Sequence, residues 1–354
     1  MKIRLAILEE DTAYLNRMVA AFNVKYADKL EMYSFTNLET AMVALEKSRI
    51  DVFLANETFE IVKKDIPDKC GFAYLVEAKD IESVRNEKVI CKFQKADMIY
   101  KQIISIFAEI SSDVIGINAN DGESGKVIAF MSPAGGAGSS TAAAACAMNF
   151  ASKGKKTFYL NLEHLGSADV FFKGEGQGNF GDIIYAIKSK KGNVLLKIEG
   201  TVKVDASGVN FFSTTPLALD IAELRVDEIK QLIKDIRVAG DYDYIILDLD
   251  FSMDKSAMEF LKFCNAIVFV TDGSAIANTK MERMMDSLVI VEQQLDTKIV
   301  MKSGVLYNRF SSQTSSKIEL EGVREIGGIK RYEGFGTSQI LEQLSKLDVF
   351  DALA

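Results

Sequence analysis

Hydrophobic and polar positions follow two different periods along this chain. Short apolar runs such as Lys2–Leu8 and Tyr244–Asp248 are typical of buried β-strands. Segments with apolar residues three and four positions apart, such as Thr12–Phe22 and Leu38–Lys47, are typical of helices that bury one face. Because strands alternate with helices at short spacing, the pattern predicts an α/β fold with mostly parallel sheets flanked by helices.

The same pattern divides the chain into two parts. Residues 111–126 are rich in Gly, Asn and Ser and lack a sustained period, as linkers do. We therefore predict one domain over residues 1–110 and a second over residues 127–354. Strands are predicted at Lys2–Leu8, Lys29–Phe35, Asp51–Ala55, Ala73–Glu77, Lys88–Phe93, Val127–Met131, Thr157–Leu162, Val209–Ser213, Tyr244–Asp248, Ala266–Thr271 and Val300–Asn308. Helices are predicted at Thr12–Phe22, Leu38–Lys47, Met98–Glu109 and from Thr141 onward.

The second domain opens with a strand, a glycine-rich turn and a helix of small residues. The turn, residues 132–141, reads Ser-Pro-Ala-Gly-Gly-Ala-Gly-Ser-Ser-Thr. Glycines let the backbone approach a phosphate closely, and the start of the helix directs free N–H groups and its positive dipole end to the same place. Ser140 and Thr141 add hydroxyl groups where phosphate loops usually ligate Mg²⁺. The motif predicts that phosphate is bound by Gly135, Gly136, Ala137, Gly138, Ser139, Ser140 and Thr141.

The composition narrows the classes of function. The formal net charge of −8 does not favour binding to nucleic acid or anionic lipid. The four cysteines are scattered without a Cys-x-x-Cys pair, which argues against a disulfide framework or a zinc site and fits a reducing cytoplasm. No apolar run approaches the roughly 18 residues that span a bilayer. The first apolar run is interrupted at Glu9, so we predict neither a signal peptide nor membrane insertion.

Three further segments follow the glycine-rich turn. Residues 158–163 read FYLNLE, residues 244–250 read YIILDLD and residues 305–310 read VLYNRF. Together with the turn, these segments resemble the MinD/ParA group of deviant-Walker P-loop ATPases. The resemblance implies that this domain is a P-loop NTPase fold that binds ATP and Mg²⁺ and forms a homodimer.

The resemblance also implies roles for individual residues. Asp248 stands where the family has its Walker B aspartate, and Glu163 stands in place of an acid that follows the neighbouring strand. Ser140 and Asp248 are the implied Mg²⁺ ligands, and Glu163 and Asp248 are the implied catalytic residues. Asn308 and Arg309 match the position where the family reads the adenine base. The choice between ATP and GTP rests on Asn308 and on the family resemblance, and it stays open.

The turn departs from the family pattern, which reads roughly KGGxGKT. Ala134 replaces the lysine that reaches the partner's nucleotide, and Ser139 replaces the lysine that neutralises the β- and γ-phosphates. Because phosphoryl transfer depends on positioning and charge stabilisation, the loss of both cations should slow hydrolysis strongly. Backbone N–H groups, Mg²⁺ and base contacts still support binding in the ground state. We therefore predict ATP binding with weak or absent hydrolysis.

The first domain resembles the flavodoxin-like receiver domain of response regulators. Acids at residues 9–11 follow the first strand, where receivers hold Mg²⁺, and Lys92 follows the last strand, where receivers place a lysine. The phospho-acceptor position at the end of the third strand holds Asn56, whose amide cannot form an acyl phosphate. We therefore interpret residues 1–110 as a degenerate receiver that acts in protein interaction. A charged loop without a ligand is the alternative for the acids.

The two resemblances together cover almost the whole chain. A receiver-like domain followed by a lysine-depleted MinD/ParA-type domain resembles the TadZ/CpaE family, which localises the Tad pilus and secretion machinery at a cell pole. The resemblance implies a cytoplasmic protein that reaches the pole and the inner membrane through partners. Pilus or secretion assembly proteins are the implied partners.

Two segments of the sequence bear on whether the protein binds a membrane or DNA. Ser338–Ala354 has an apolar stripe, but its single basic residue, Lys346, stands against three acids. We predict that it packs on the core and does not bind anionic lipid. The most basic segment is Lys188–Lys203. It fits a solvated surface, a surface that docks a partner protein, or a non-specific contact with DNA. Of these alternatives, we do not predict the contact with nucleic acid.

Three hypotheses for the function remain. The first is an ATP-binding dimeric scaffold in which nucleotide stabilises one state by binding it more tightly than the other. The second is an ATPase switch that cycles between dimer and monomer. The third is a DNA-segregation ATPase of the ParA kind. Measured turnover separates the first two, and salt-sensitive retention of DNA identifies the third.

Overall fold

A computed structural model describes residues 2–78, 80–110, 125–190, 193–295 and 298–354 of the chain. Its contacts divide the chain into two compact units. The described residues of 1–117 and 185–201 form the first unit, and those of 118–184 and 202–354 form the second. The predicted linker, 111–126, lies outside the described residues except for its last two positions. The predicted domain boundaries stay a prediction.

Both units are built from strands and helices that alternate along the chain. The strands are β1 (Ile3–Leu8), β2 (Leu30–Phe35), β3 (Val52–Asn56), β4 (Gly71–Val76), β5 (Val89–Cys91), β6 (Lys126–Met131), β7 (Thr157–Asn161), β8 (Lys203–Val204), β9 (Asn210–Phe211), β10 (Tyr244–Asp248), β11 (Ala266–Thr271), β12 (Ser303–Phe310) and β13 (Arg324–Lys330). The α-helices are α1 (Thr12–Lys25), α2 (Leu38–Lys47), α3 (Ala96–Ile110), α4 (Ser139–Ser152), α5 (Ala168–Phe171), α6 (Phe180–Ser189), α7 (Val194–Thr201), α8 (Leu219–Ala222), α9 (Val226–Gly240), α10 (Lys255–Leu261), α11 (Ala275–Leu295) and α12 (Thr337–Leu344). Short 3₁₀ helices lie at Lys63–Asp65, Val300–Lys302 and Asp348–Leu353.

The first unit contains a five-stranded parallel sheet in the order β2-β1-β3-β4-β5. All side chains of β3 and β4 are buried, which explains their uninterrupted apolar runs, because a parallel sheet is covered on both faces. Asp11 caps α1, where its side chain accepts hydrogen bonds from the backbone N–H groups of Ala13 and Tyr14. In the same unit, α7 packs on α3, and Lys197 Nζ donates to Ser105 Oγ over 2.9 Å.

The second unit contains an eight-stranded sheet in the order β13-β12-β11-β6-β10-β7-β9-β8. Only the β8–β9 pair is antiparallel among the described strand pairs. β6 lies near the middle, so the turn that follows it opens at the centre of one sheet edge. The helix after that turn, α4, buries Ala142–Ala145 completely, because small side chains allow a close approach to the sheet.

The α/β fold class predicted from the sequence is confirmed. Predicted strands at Tyr244–Asp248 and Ala266–Thr271 have the predicted bounds, whereas α4 begins at Ser139, two residues before the expected Thr141. The chain also contains elements that the apolar runs did not indicate, among them β13, an edge strand with four exposed residues. The C-terminal segment packs on the core through the buried side chains of Leu341 and Leu344. Within the described ranges, no helix is long and apolar enough to cross a membrane.

Candidate functional site

The glycine-rich turn of residues 132–141 joins the buried strand β6 to α4. Ser132 Oγ accepts a hydrogen bond from the Ala134 N–H over 3.1 Å and donates to the Ala134 carbonyl over 2.8 Å, which folds the chain back on itself. Gly136 and Gly138 have φ angles of +80° and +84°, in the left-handed region that favours glycine. Gly138 is also the N-cap of α4, so Ser139 is the first helical residue.

The carboxylate of Asp248 lies at the C-terminal end of β10, beside the strands that precede and follow the turn. Asp248 pairs with Phe130 of β6 on one side and with Asn161 of β7 on the other. Its Oδ2 accepts hydrogen bonds from Tyr159 Oη over 2.7 Å and from Asn161 Nδ2 over 2.9 Å. Register therefore places the predicted Walker B acid next to the turn.

Glu163 connects Asp248 to the turn. Its Oε1 accepts a hydrogen bond from Ser140 Oγ over 2.9 Å, and its Oε2 accepts from Asn161 Nδ2 over 2.9 Å. The same Asn161 amide group bonds to Asp248, so the two acids share one donor. The structure thus brings together three of the sequence-predicted site residues: Ser140, Glu163 and Asp248.

Asp248 is the most buried acid of this network. Its side chain is fully buried, and Oδ1 has no hydrogen-bond partner among the described residues. Desolvation, with the nearby charge of Glu163 as a second cause, raises the pKa of Asp248 well above its usual range. A carboxylate in this position is unsatisfied unless a cation joins it.

The donor set suits Mg²⁺. Serine and carboxylate oxygens are ligands that Mg²⁺ prefers, and Mg²⁺ usually binds through one or two carboxylates and the phosphates of its substrate. Ser140 Oγ and Asp248 Oδ1 are the two oxygens that would hold it. No cluster of three or more His, Cys, Asp or Glu side chains suited to a metal occurs within the described part of the chain.

Tyr159 is a site residue that the sequence analysis missed. Its side chain is fully buried, and desolvation raises the pKa of its hydroxyl well above the usual range. The hydroxyl donates to Asp248 Oδ2 and accepts from Asn161 Nδ2 over 3.3 Å. The sequence contained a signal for this contact. Tyr159 and Asn161 are two residues apart on β7, so their side chains face the same side of the sheet.

Asn308 and Arg309 contact the turn from the end of β12. Asn308 is buried, and its Nδ2 donates to the Ala137 carbonyl over 2.9 Å. Arg309 Nη1 donates to the Gly136 carbonyl over 2.9 Å. Both residues were predicted from the resemblance as contacts of the base, and in this structure both side chains hold the turn itself.

Other polar residues near this edge have partners of their own. The exposed His164 bonds to the Asp250 carboxylate through its backbone N–H and through Nδ1, over 2.7 and 2.9 Å. At the opposite end of α4, away from this edge, Lys153 forms an ion pair with Asp351. Thr141 lines a pocket that Asn308 and Arg309 also line.

A second polar cluster occupies the receiver-like unit. Glu9 is almost completely buried, and its Oε1 accepts from Asn56 Nδ2 over 2.7 Å. Its Oε2 accepts from the buried Lys92 ammonium over 3.2 Å, and Lys92 also pairs with Glu77 over 3.3 Å. The acids at residues 9–11 are thus neither a free metal site nor a simple charged loop, because Lys92 already compensates Glu9 and Asp11 caps α1.

A mostly parallel sheet with a glycine-rich turn between its central strand and a helix, with Ser140 and Thr141 at the start of that helix, fits the P-loop class of nucleotide-binding domains. Family models agree with this assignment. A model described as an AAA domain matches residues 125–301, and a model described as a TadZ-like receiver domain matches residues 1–108. The chain therefore belongs to the AAA-domain family of the ParA/MinD type and carries a TadZ-like receiver domain at its N-terminus, as the sequence resemblance predicted.

Individual relatives match more than half of the chain. The sporulation initiation inhibitor protein Soj of Bacillus subtilis (strain 168) is 21% identical over 215 residues, which are 59% of this chain and 80% of that protein. The crystal structure of a ParA family ATPase from Chlorobium tepidum TLS matches with a TM-score of 0.50 and 21% identity. The match covers 65% of this chain and 98% of that one. It shows that the matched part of this chain has the same fold as that protein.

Proposed function

We propose that this protein is an ATP-binding, homodimeric scaffold that localises a Tad-type pilus or secretion machinery and hydrolyses ATP weakly or not at all. The observation that carries the proposal is the buried Asp248 carboxylate, whose Oδ1 lacks a partner and whose network reaches Ser140 of a phosphate loop without lysine. This arrangement supports Mg²⁺-dependent binding of a nucleotide, while the loop itself contributes no cation to the transition state.

Exposed apolar side chains support the homodimer. Large residues follow the C-terminal ends of several strands of the second unit, on the sheet edge that carries the phosphate loop. Leu165 is 82% exposed after β7, Leu219 is 77% exposed after β9, and Ile276 is 72% exposed after β11. Exposed apolar groups that together form one contiguous patch favour association. A dimer that meets at this edge would let bound nucleotide control assembly.

The receiver domain supports a docking role. Asn56 stands at the phospho-acceptor position, and its amide is committed to Glu9. An amide at this position cannot form an acyl phosphate, so we assign the domain to partner binding, with pilus or secretion assembly proteins as partners.

Two lysines of the basic window have other contacts. Lys203 is buried and donates to Ser213 Oγ over 2.6 Å, and Lys197 donates to Ser105 Oγ. These two cations are engaged within the protein, so the proposal contains no nucleic acid.

Calorimetric titration with ATP and Mg²⁺, paired with a phosphate-release assay on the same sample, tests the proposal. We expect saturable ATP binding and a phosphate-release rate no higher than that of Ser140→Ala, which lacks the hydroxyl that faces Glu163. The absence of any binding would show that the P-loop fold serves protein contacts alone. Turnover above the Ser140→Ala level, abolished by Asp248→Ala, would establish the ATPase switch in place of the scaffold.

Asp248→Asn should separate stability from nucleotide binding. We expect the free energy of unfolding without ligand to rise by about 1 kcal/mol, because the amide removes a desolvated charge beside Glu163 and still accepts from Tyr159. Saturating Mg²⁺-ATP at about 100 times Kd should stabilise the parent by about 2.7 kcal/mol and the variant far less. Urea unfolding with and without Mg²⁺-ATP measures both effects.

Asp250→Asn is the matched control for this variant. Asp250 follows the same strand, but its side chain is half-exposed. Its replacement should change the unfolding free energy by less than about 0.5 kcal/mol. A ligand-free Asp248→Asn protein that is less stable than the parent would contradict the interpretation of Asp248 as an uncompensated buried charge.

A further inference from the structure

The phosphate loop lacks the positive charge that a nucleotide requires. Residues 132–141 contain neither Lys nor Arg. Backbone N–H groups and the α4 dipole together supply only about half of one elementary charge, whereas a nucleoside triphosphate carries several negative charges. Mg²⁺ compensates part of that charge. The remaining compensation has to come from side chains elsewhere in the fold.

Arg309 is a cation that contacts the loop directly. Its Nη1 bonds to the Gly136 carbonyl, and a guanidinium has five N–H donors, so most of its hydrogen-bonding capacity remains for a ligand. Arg309 forms no ion pair with any residue that the structure describes. Its φ angle is +56°, a strained value for a residue with a side chain, and such strain is concentrated at functional sites.

Two more cations lie near Arg309. The ends of β12 and β13 border a cavity of about 220 Å³ next to the loop. Lys330 and Arg331 line it together with Arg309, and both are exposed. Lys330 Nζ lies 5.4 Å from the centroid of the Tyr332 ring, which also lines the cavity. Arg331 has a loose contact with Glu333 at 3.7 Å. The cavity thus combines three cations with one aromatic ring.

We propose that Arg309, supported by Lys330 and Arg331, replaces the missing loop lysines as the counter-charge for the phosphates of a bound nucleoside triphosphate. The inference rests on the proposed nucleotide-binding function and specifies how that site binds its ligand. Positive charge reaches the phosphates from the ends of β12 and β13, while Ser140 and Asp248 approach from the other side of the loop. The arrangement compensates charge in the ground state.

Calorimetry of the full-length chain with Mg²⁺-ATP, Mg²⁺-ADP and AMP tests this inference. Arg309→Gln should raise the Kd for ATP at least tenfold, which corresponds to about 1.4 kcal/mol. Glutamine keeps an amide donor for the Gly136 carbonyl, so the variant removes charge and not the support of the loop. The loss of affinity caused by Arg309→Gln should be largest for ATP, smaller for ADP and smallest for AMP, because the number of phosphates falls in that order. Arg309→Lys, which retains the charge, should lose less than threefold.

Two further variants complete the design. Arg324→Gln removes an exposed arginine at the opposite end of β13 and should leave the Kd for ATP unchanged. Ser139→Lys returns a lysine to the loop, and in the Arg309→Gln background it should recover most of the lost affinity. A purely structural role of Arg309 would not allow that recovery.

The outcomes separate the inference from the function on which it rests. If the parent binds ATP and Arg309→Gln binds it within twofold, the inference is overturned and the nucleotide site stands. If the loss is equal for ATP and AMP and Ser139→Lys does not restore binding, Arg309 supports the loop and the inference is again overturned. If the parent itself binds no nucleotide, the proposed function fails.

Discussion

Lys92→Met is expected to lower the free energy of unfolding of the receiver-like unit by about 3–5 kcal/mol. Lys92 is buried, and its ammonium bonds to Oε2 of the almost completely buried Glu9. Methionine fills a similar volume but leaves the Glu9 carboxylate without its counter-charge, and an uncompensated buried charge is strongly destabilising. Urea unfolding followed by a signal from this unit measures the loss.

Two companion variants isolate the cause. Lys63→Met breaks an ion pair between the exposed Lys63 and the partly buried Glu87 and should cost no more than about 1 kcal/mol. Glu9→Gln in the Lys92→Met background removes the stranded charge and should recover most of the lost stability. If Lys92→Met is no more destabilising than Lys63→Met, the Glu9–Lys92 pair is not an important stabilising contact of this unit.

Gly138→Ala is expected to abolish nucleotide binding and to lower the free energy of unfolding by roughly 2–4 kcal/mol. Gly138 has φ +84°, and a Cβ at this position would overlap the side-chain amide of Asn308. That amide holds the Ala137 carbonyl, so the substitution would displace both the loop and its support. Calorimetry with Mg²⁺-ATP and urea unfolding measure the two effects.

The neighbouring glycines separate backbone strain from steric overlap. Gly135 lies outside the left-handed region, and a Cβ there meets no atom within 4 Å, so Gly135→Ala should change stability by less than about 0.5 kcal/mol. Gly136 also has open space but φ +80°, so Gly136→Ala should cost about 1 kcal/mol from strain alone. Equal effects of all three substitutions would contradict this account of the loop.

Sequence periodicity predicted the elements that are buried on both faces. β10 and β11 were predicted with the bounds that the structure has, because an uninterrupted apolar run fits a strand covered on both sides. β13 was missed, since an edge strand with exposed residues carries no such signal. Turn chemistry located the phosphate loop, because its glycines and hydroxyls are local features.

Contacts between distant segments could not be read from the sequence in this way. Arg309 and Gly136 are 173 positions apart, and Tyr159 and Asp248 are 89 apart. No local period encodes such pairs. Strand order decides them, because it places the end of β12 and the end of β7 at the edge that carries the loop. The orphaned Asp248 oxygen likewise results from packing by three adjacent strands.

The amino-acid sequence by itself thus determined the α/β class, the position of the glycine-rich turn, the absence of lysine from residues 132–141 and the presence of an amide at Asn56. These features are properties of residue type and local spacing. Tertiary structure alone decided that Lys92 compensates the charge of Glu9 in the receiver-like unit, and that Arg309 lies on the loop in the second unit. Electrostatic compensation depends on distance and burial, and both exist only after the chain has folded.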